Sequence, residues 1–329
     1  MPAETPAQQI PAQNVDAVVI GRNEGTRLAI CLGSLGAGIR RVVYVDSGST
    51  DGSVALATKK GAEVIALDMG RPFSAARARN AGLARLADAP PDFVQFIDGD
   101  CSLDSGWLTA ALDAFADHPP AVAICGRRRE RHPSASIWNR MTDQEWDTPV
   151  GQARACGGDV LIRYGAVCAA GGYREDLIAG EEPELCLRLA RAGGEIWRIG
   201  AEMTLHDAAM TRFGQWWRRM VRAGHAYAEG AALHGRGPER HWVHQTRRAL
   251  FWGLALPALS LLGAALLHPM LLLLLLAYPL QILRLALRDR RGLRIAFFTT
   301  LSKFAETQGA LGYAWTRLRG RRKVLIEYK

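Results

Sequence analysis

The stretch Asp92-Phe93-Val94-Gln95-Phe96-Ile97-Asp98-Gly99-Asp100 decides the fold of this chain. Its apolar run is typical of a buried strand, and it ends in two carboxylates separated by one glycine. In extended geometry residues two apart point the same way, so we expect Asp98 and Asp100 to converge and Gly99 to leave room for a ligand. Two hard oxygen ligands suit Mg²⁺ or Mn²⁺. The alternative is an ordinary acidic turn at a strand end.

Strands and helices alternate on the N-terminal side of this stretch. Apolar runs at 15–20, 41–45 and 62–67 predict strands, and helical patterns follow at 27–35 and 73–86. This alternation predicts an α/β fold with a doubly wound, mostly parallel sheet. In such sheets ligands lie beyond the carboxyl ends of the strands, so the loops at those ends are candidate binding loops.

Two of these loops carry charged residues whose role the pattern leaves open. Asp46 and Asp51 lie in a Ser/Gly-rich loop, where they either form the turn or accept hydrogen bonds from a base or ribose. The arginines of 71–80 either form a solvated helix face or contact a diphosphate through planar, charge-assisted hydrogen bonds.

The following segment supplies a second acidic motif. Residues 107–115 predict a helix and 121–125 a strand, whereas 127–151 predicts an irregular substrate loop or long connection. A glycine-opened strand is expected at 157–162. Glu181 and Glu182 then stand at or just before a helix N-terminus, where they either stabilise the helix dipole or provide a base that deprotonates an acceptor hydroxyl.

Taken in chain order, these motifs resemble those of the family 2 glycosyltransferases of the GT-A fold. The resemblance spans about residues 15–205. Each motif alone is weak evidence for the family, whereas their order along the chain is specific to it. The motifs that carry it are Val18-Val19-Ile20-Gly21-Arg22-Asn23-Glu24, Val45-Asp46-Ser47-Gly48-Ser49-Thr50-Asp51-Gly52-Ser53, Ala78-Arg79-Asn80-Ala81-Gly82, Asp98-Gly99-Asp100, Gly157-Gly158-Asp159 and Gly180-Glu181-Glu182-Pro183-Glu184-Leu185.

The resemblance implies roles for particular residues. It assigns binding of a nucleotide sugar to Asn23, Glu24, Asp46, Asp51, Arg79, Asn80, Asp98 and Gly158. It assigns a divalent metal, Mn²⁺ or Mg²⁺, to Asp98 and Asp100, with His206 as a further ligand or a structural histidine. Family members commonly have Glu-Asp where this chain has Glu181-Glu182, so Glu182 takes the place of the catalytic base and Glu181 is the reserve candidate.

Composition points to a globular protein with a basic excess. Net charge is +9, 49% of residues are hydrophobic and 22% are charged, which excludes wholesale disorder. Arginines cluster at 127–131, 218–222, 247–248 and 288–291, which favours a membrane-facing pattern over nucleic-acid binding because no nucleic-acid motif accompanies them. Six scattered cysteines without a Cys-x-x-Cys pair indicate reduced thiols.

The C-terminal third contains the most apolar sequence. Segments 249–267 and 269–287, broken at His268-Pro269 and flanked by arginines, predict a helical hairpin with both ends cytoplasmic, or a shallow re-entrant hairpin. Residues 213–225 predict an amphipathic helix, either near the acceptor or on lipid headgroups, and 295–318 an interfacial helix followed by a basic stretch at 319–323.

These observations predict four segments: a disordered leader (1–14), a GT-A catalytic domain (15–235), a transmembrane hairpin (249–287), and an interfacial amphipathic helix with a basic tail (294–329). The expected activity is inverting transfer from a nucleotide sugar to a glycan or lipid-linked saccharide, with a cytoplasmic catalytic domain on the inner membrane and membrane lipids as partners. One alternative is a polyprenyl-phosphate glycosyltransferase. Another is a catalytically silent membrane adaptor that binds nucleotide or glycan.

Overall fold

The computed structural model describes residues 14–289 and 292–320. The predicted leader at 1–14 lies outside the described residues except for Asn14. Arg290, Arg291 and the basic tail from residue 321 onward also lie outside them.

The described chain divides into two compact units. The first comprises residues 14–129, 147–173 and 185–207. The second comprises residues 130–146, 174–184, 208–289 and 292–320.

The first unit is built on one sheet, which has nine strands among the described residues. The strands are β1 (Val15–Gly21), β2 (Arg41–Asp46), β3 (Glu63–Ala66), β4 (Phe93–Asp98), β5 (Cys101–Leu103), β6 (Ala121–Glu130), β7 (Gly151–Gln152), β8 (Val160–Arg163) and β9 (Glu195–His206). Their order is β3-β2-β1-β4-β8-β6-β9-β5, and β7 pairs with β9.

The sheet is parallel on one side and antiparallel on the other. Strands β3, β2, β1 and β4 are parallel, and their register places Ile20 beside Asp98. Strand β4 pairs antiparallel with β8, and β5 and β7 pair antiparallel with β9. The parallel strands end at the same edge, so the loops after β1, β2 and β4 are neighbours. The predicted α/β fold class is confirmed, and the sheet is mixed rather than mostly parallel.

Helices cover both faces of this sheet. They are α1 (Thr26–Ser34), α2 (Ser53–Lys59), α3 (Ala75–Arg85), a 3₁₀ turn (Leu86–Asp88), α4 (Trp107–Asp117), α6 (Tyr164–Ala169) and, beyond its first turn, α7 (Glu181–Arg191). Alternate residues of the central strands fill two apolar cores, with Val19 and Ile97 in one and Val18 and Phe96 in the other. A Cβ on Gly82 of α3 would meet the Val18 side chain at 2.3 Å, so α3 packs very close to β1.

The segment 127–151 is more regular than its sequence predicts. Strand β6 continues to Glu130, and α5 (Ile137–Trp146) follows, so the prediction of an irregular connection is wrong. Buried Asn139 anchors α5: its amide donates to Glu130 Oε1 at 3.1 Å, and its carbonyl accepts the Met210 N–H at 3.0 Å. Such tertiary contacts override the weak local helix preference.

The second unit is almost entirely helical. Besides α5 and the first turn of α7, it contains α8 (Phe213–His234), α9 (Val243–Leu250), a π-helix (Phe251–Ala255), α10 (Leu256–Leu266), a 3₁₀ helix (Pro269–Leu276), α11 (Ala277–Asp289) and α12 (Gly292–Leu318).

Helices α8 and α12 cross with their backbones in contact. A Cβ on Gly309 of α12 would meet the Val221 carbonyl oxygen at 1.9 Å, and a Cβ on Gly224 of α8 would meet the Glu306 carbonyl oxygen at 1.9 Å. Both helices therefore need glycine at the crossing, because no side chain fits between the two backbones.

Two helical stretches of the second unit have the length and composition of membrane spans. They are Val243–Leu266, with mean hydropathy 1.9, and Pro269–Arg288, with mean hydropathy 2.1. Few of their side chains are buried, and Leu266 is 78% exposed. The core helix of a soluble protein would instead be mostly buried.

Candidate functional site

The loop after β4 brings Asp98 to two arginines of the first unit. Arg79 of α3 donates from Nη2 to Asp98 Oδ1 at 2.9 Å, and Nη2 of Arg128 on β6 lies 3.4 Å from Asp98 Oδ2. Both guanidinium groups are buried, whereas Asp98 is partly exposed. Positive charge is therefore fixed at the carboxyl end of the central strand.

Asp159 is a buried carboxylate that binds the same loop. Its Oδ1 accepts the Asp98 N–H at 3.1 Å, and its Oδ2 accepts the Thr204 hydroxyl at 2.8 Å and lies 3.5 Å from Arg128 Nε. It joins the end of β4 to β6 and β9. Asp159 and Arg128 were not among the predicted site residues.

Gly158 lies directly beside this cluster. Its φ is +108°, and a Cβ there would be 3.2 Å from Arg128 Nη1 and 3.6 Å from Asp98 Oδ2. A side chain at residue 158 would be strained and would crowd both charged groups. The predicted binding residues Gly158, Asp98 and Arg79 are thus brought together.

Asp100 faces a different partner from Asp98. The strand ends at Asp98, and residues 99 and 100 turn into β5, so the expectation of an extended Asp98–Asp100 segment is wrong. A Cβ on Gly99 would lie 3.2 Å from the Ile20 carbonyl oxygen, so Gly99 permits close packing on β1 rather than ligand access. Because Cys101 pairs with His206 across β5 and β9, Asp100 Oδ2 lies 3.3 Å from His206 Nε2.

Two groups of potential ligand atoms result, each within 4.8 Å. Asp100 and His206 form one group with Cys101, and Asp98 and Asp159 form the other with the same cysteine. Burial, and then the charge of Asp159, raises the pKa of the Cys101 thiol, which stays protonated. The remaining donors are carboxylate oxygens and an imidazole nitrogen, a set that fits Mn²⁺ well and Mg²⁺ through its oxygens.

The loop after β2 uses its own carboxylates to hold its shape. Asp46 accepts the Gly48 and Ser49 N–H groups at 3.0 and 2.8 Å and the Tyr44 hydroxyl at 3.0 Å. The Ser53 hydroxyl, which donates to Asp51 at 2.6 Å, lowers the pKa of that carboxyl. The structure therefore gives both aspartates a loop-forming role, and their contact with a nucleotide stays a prediction.

The remaining predicted binding residues connect neighbouring loops. Asn23 Oδ1 accepts the Thr50 N–H at 2.7 Å, which joins the β1 and β2 loops, and Glu24 pairs with Arg27 at 2.8 Å. The Asn80 amide bonds both backbone groups of Tyr173 at 2.8 Å. These residues shape the loops, and their contact with a ligand stays a prediction.

Glu181 and Glu182 begin α7 in the second unit. Glu182 is 3% exposed. Glu184 Oε1 in the same turn lies 3.0 Å from His234 Nε2. Gly180, with φ +82°, precedes the turn and packs against Trp242, because a Cβ on Gly180 would lie 2.4 Å from the Trp242 ring. The turn is therefore held by α8 and by the residue that precedes α9.

The Thr204 hydrogen bond gives a first testable prediction. In Thr204→Val the Asp159 carboxylate loses a buried donor, and we expect the free energy of unfolding to fall by about 2 kcal/mol. Thr109→Val, at an exposed position on α4, is the matched control and should be neutral. Urea titration of the three purified proteins measures the difference, and equal stability of both variants would contradict the role of this bond.

Comparison with known proteins identifies the family. Residues 16–178 match the family model described as "Glycosyl transferase family 2". These residues form a domain of this family. The match includes the β1, β2 and β4 loops and Gly158, and it ends before Glu181.

Curated relatives align with part of this chain. The "Pre-mycofactocin glycosyltransferase" of Mycobacterium tuberculosis is 29% identical over 173 residues, which cover 48% of this chain and 35% of that protein. The alignment thus spans about a third of the relative's length.

Solved structures confirm the GT-A fold over most of the chain. The mannosyltransferase PcManGT from Pyrobaculum calidifontis, solved in complex with GDP-Man and Mn²⁺, has a TM-score of 0.66 at 20% identity, with 93% of this chain and 88% of that chain covered. Residues 1–349 of S. aureus TarS, solved with UDP-GlcNAc, have a TM-score of 0.52 at 14% identity, with 94% and 92% covered.

Proposed function

We propose that this protein is a membrane-anchored, metal-dependent, inverting glycosyltransferase that moves a sugar from a nucleotide sugar to a glycan or lipid-linked saccharide. The observation that carries the proposal is the cluster of carboxylates and buried arginines at the carboxyl end of β4, inside a family 2 domain. The nucleotide sugars in the two solved relatives support the same class of donor.

Asp100 and His206, whose ligand atoms lie within 4.8 Å of each other, would hold the divalent cation, Mn²⁺ or Mg²⁺. Asp98 is the third proposed ligand, and its side chain would have to turn from Arg79 and Arg128 to join them. When bound, the cation supplies positive charge that stabilises the departing nucleoside diphosphate. Arg79 and Arg128 add charge-assisted donors at the same place, already oriented by Asp98 and Asp159. Preorganised positive charge of this kind lowers the barrier for a diphosphate leaving group.

Glu182 is the proposed general base. Its carboxylate takes the proton of the acceptor hydroxyl while the hydroxyl oxygen forms a bond to the anomeric carbon. The bond to the diphosphate oxygen breaks on the opposite face, which inverts the configuration. The packing of its helical turn against Trp242 and His234 supports this role, because a base must be held in position. Glu181 is the alternative base.

The two apolar helical stretches support an anchor in the inner membrane with a cytoplasmic catalytic domain. Arg247 and Arg248 precede the exposed apolar residues of the first stretch, and Arg288 ends the second, which places positive charge at both outer ends. An anchor of this kind brings the catalytic domain to acceptors that are attached to lipid.

Asp100→Asn tests the proposed activity. We expect the full-length protein with Mn²⁺ to release nucleoside diphosphate from one nucleotide sugar, and the variant to do so about a hundredfold more slowly because a charged ligand is lost. Asp113→Asn, at an exposed position on α4, is the matched control. An unchanged rate in Asp100→Asn, or the same loss in both variants, would contradict the proposal.

The acceptor class and the rival functions are distinguished by the product. Membranes incubated with labelled nucleotide sugar and polyprenyl phosphate would yield acid-labile, lipid-extractable label if the lipid phosphate were the acceptor. That reaction needs a basic pocket at the membrane edge, which the arginine cluster at 218–222 would have to supply, yet Arg219 of that cluster pairs with Glu145 at 2.7 Å. Donor binding without turnover for any acceptor would instead indicate an adaptor.

A further inference from the structure

A small recess lies among the helices that carry the apolar stretches. It is a shallow depression whose space between the lining atoms, including the part open to solvent, is about 170 Å³, and it lies within the second unit between α9, the π-helix, α11 and α12. Its lining residues are Arg248, Trp252, Gln281, Leu285, Thr299, Thr300 and Lys303. Most of these residues are polar, although the helices around them are rich in leucine.

The recess carries an excess of positive charge. Lys303 pairs with Glu306 on the next turn of α12. Within residues 14–289 and 292–320, no carboxylate forms an ion pair with Arg248. Burial lowers the pKa of Lys303, and the charge of Arg248 adds to that shift, whereas Glu306 and Glu145 oppose it. Glu145 pairs with Arg219 at 2.7 Å, so two carboxylates face three positive charges.

Several hydrogen-bond donors of the recess also lack a protein partner. In the described part of the chain, the Trp252 indole N–H, the Gln281 amide and the Thr299 hydroxyl form no hydrogen bond with protein. Thr300 differs, since its hydroxyl donates to the Ala296 carbonyl at 2.9 Å. Unpaired N–H and O–H groups beside an unpaired guanidinium form a favourable environment for an anion with several acceptor oxygens.

The surroundings of the recess favour an anion attached to a hydrocarbon chain. Arg248 and Trp252 lie near the start of the stretch Val243–Leu266, and Gln281 and Leu285 lie in the stretch Pro269–Arg288. Leu254 and Leu283 on the same helices are 43% and 49% exposed. A lipid whose headgroup lies at the mouth of the recess would cover such side chains with its tails. Tryptophan and arginine at one level are also typical of a membrane interface.

We propose that this recess binds the phosphate headgroup of an anionic phospholipid. The Arg248 guanidinium donates hydrogen bonds to two phosphate oxygens. Lys303 contributes a second positive charge near the phosphate, and Gln281 and Thr299 donate further hydrogen bonds to it. The proposal rests on the membrane anchoring proposed above and is independent of the sugar transferred. The bound lipid would fix the rotation and depth of the hairpin in the bilayer.

Binding of dioctanoyl phosphatidic acid to the full-length protein in nonionic detergent tests the proposal. We expect Arg248→Gln to weaken binding about tenfold, because the charge-assisted contacts of the guanidinium with the phosphate are lost. Arg248→Lys should retain part of the affinity because it keeps the charge without the planar fork. Arg247→Gln is the matched control: Arg247 is exposed on the same helix and outside the recess lining, so its affinity should be unchanged.

Two further ligands identify what is recognised. Dioctanoylglycerol, which lacks the phosphate, should not bind, and inorganic phosphate alone should bind at least a hundredfold more weakly than the lipid. Equal losses in Arg247→Gln and Arg248→Gln would overturn the site, because surface charge would explain them. Inorganic phosphate binding as tightly as the lipid would overturn the lipid assignment.

Folding and catalysis are measured separately from this binding. Thr299→Val removes one donor at nearly constant volume and should weaken binding about threefold, so it tests the site even if Arg248→Gln lowers the melting temperature. Release of nucleoside diphosphate is assayed on the same samples. Failure of the lipid site would leave that turnover intact, whereas failure of the proposed activity would abolish turnover and leave lipid binding unchanged.

Discussion

Glu182→Gln is expected to reduce sugar transfer about a thousandfold while nucleotide-sugar affinity changes less than twofold. The substitution keeps the shape of the side chain and removes its ability to take a proton. Glu182 is buried in the first turn of α7, where an amide can occupy the same space. Transfer rates with saturating donor and acceptor, together with donor binding by calorimetry, separate loss of chemistry from loss of binding.

Glu181→Gln is the matched control for this prediction. Glu181 lies in the same turn, with a similar charge and a more exposed side chain, and we expect its substitution to reduce transfer less than tenfold. A thousandfold loss in Glu181→Gln with near-normal activity in Glu182→Gln would exchange the two roles. Near-normal activity in both variants would contradict the proposed mechanism.

Gly309→Ala is expected to lower the free energy of unfolding by about 3 kcal/mol or more. The new Cβ would be placed 1.9 Å from the Val221 carbonyl oxygen and 2.7 Å from the His225 nitrogen, both backbone atoms of α8. Neither atom can move alone, so the two helices would have to separate along their contact. Thermal unfolding in detergent, followed by circular dichroism, measures the loss.

Gly312→Ala provides the opposite expectation on the same helix. A Cβ at residue 312 meets nothing within 4 Å, so this variant should gain about 1 kcal/mol from the higher helix propensity of alanine. Equal melting temperatures for Gly309→Ala and Gly312→Ala would show that the helix crossing is looser than described.

The sequence predicts the parallel half of the sheet well, because its strands are continuous apolar runs separated by helical patterns. β1, β2 and β4 begin and end close to their predicted bounds. Strand β5 is only three residues long, and β9 has an interrupted burial pattern, so neither gives a clear periodic signal. Their pairing nevertheless brings His206 to Asp100, a contact between residues more than one hundred positions apart.

The candidate site likewise combines residues that sequence motifs predict with residues that only the fold places there. Asp98, Arg79 and Gly158 were predicted from motifs, and the structure brings them together. Arg127 and Arg128 belong to an arginine cluster interpreted as membrane-facing, and that interpretation is wrong for both because they are buried in the first unit. Only the fold reveals that Arg127 and Arg128 are buried whereas Arg129 of the same run is exposed.

The eight-residue 3₁₀ segment Pro269–Leu276 changes how far the second arm of the hairpin extends. A 3₁₀ helix rises about 2.0 Å per residue, against about 1.5 Å in an α-helix. The twenty residues of Pro269–Arg288 therefore extend about 34 Å rather than about 30 Å. In the proposed membrane anchor this arm would slightly exceed a hydrocarbon layer of about 30 Å, so it could tilt without drawing Arg288 below the lipid surface.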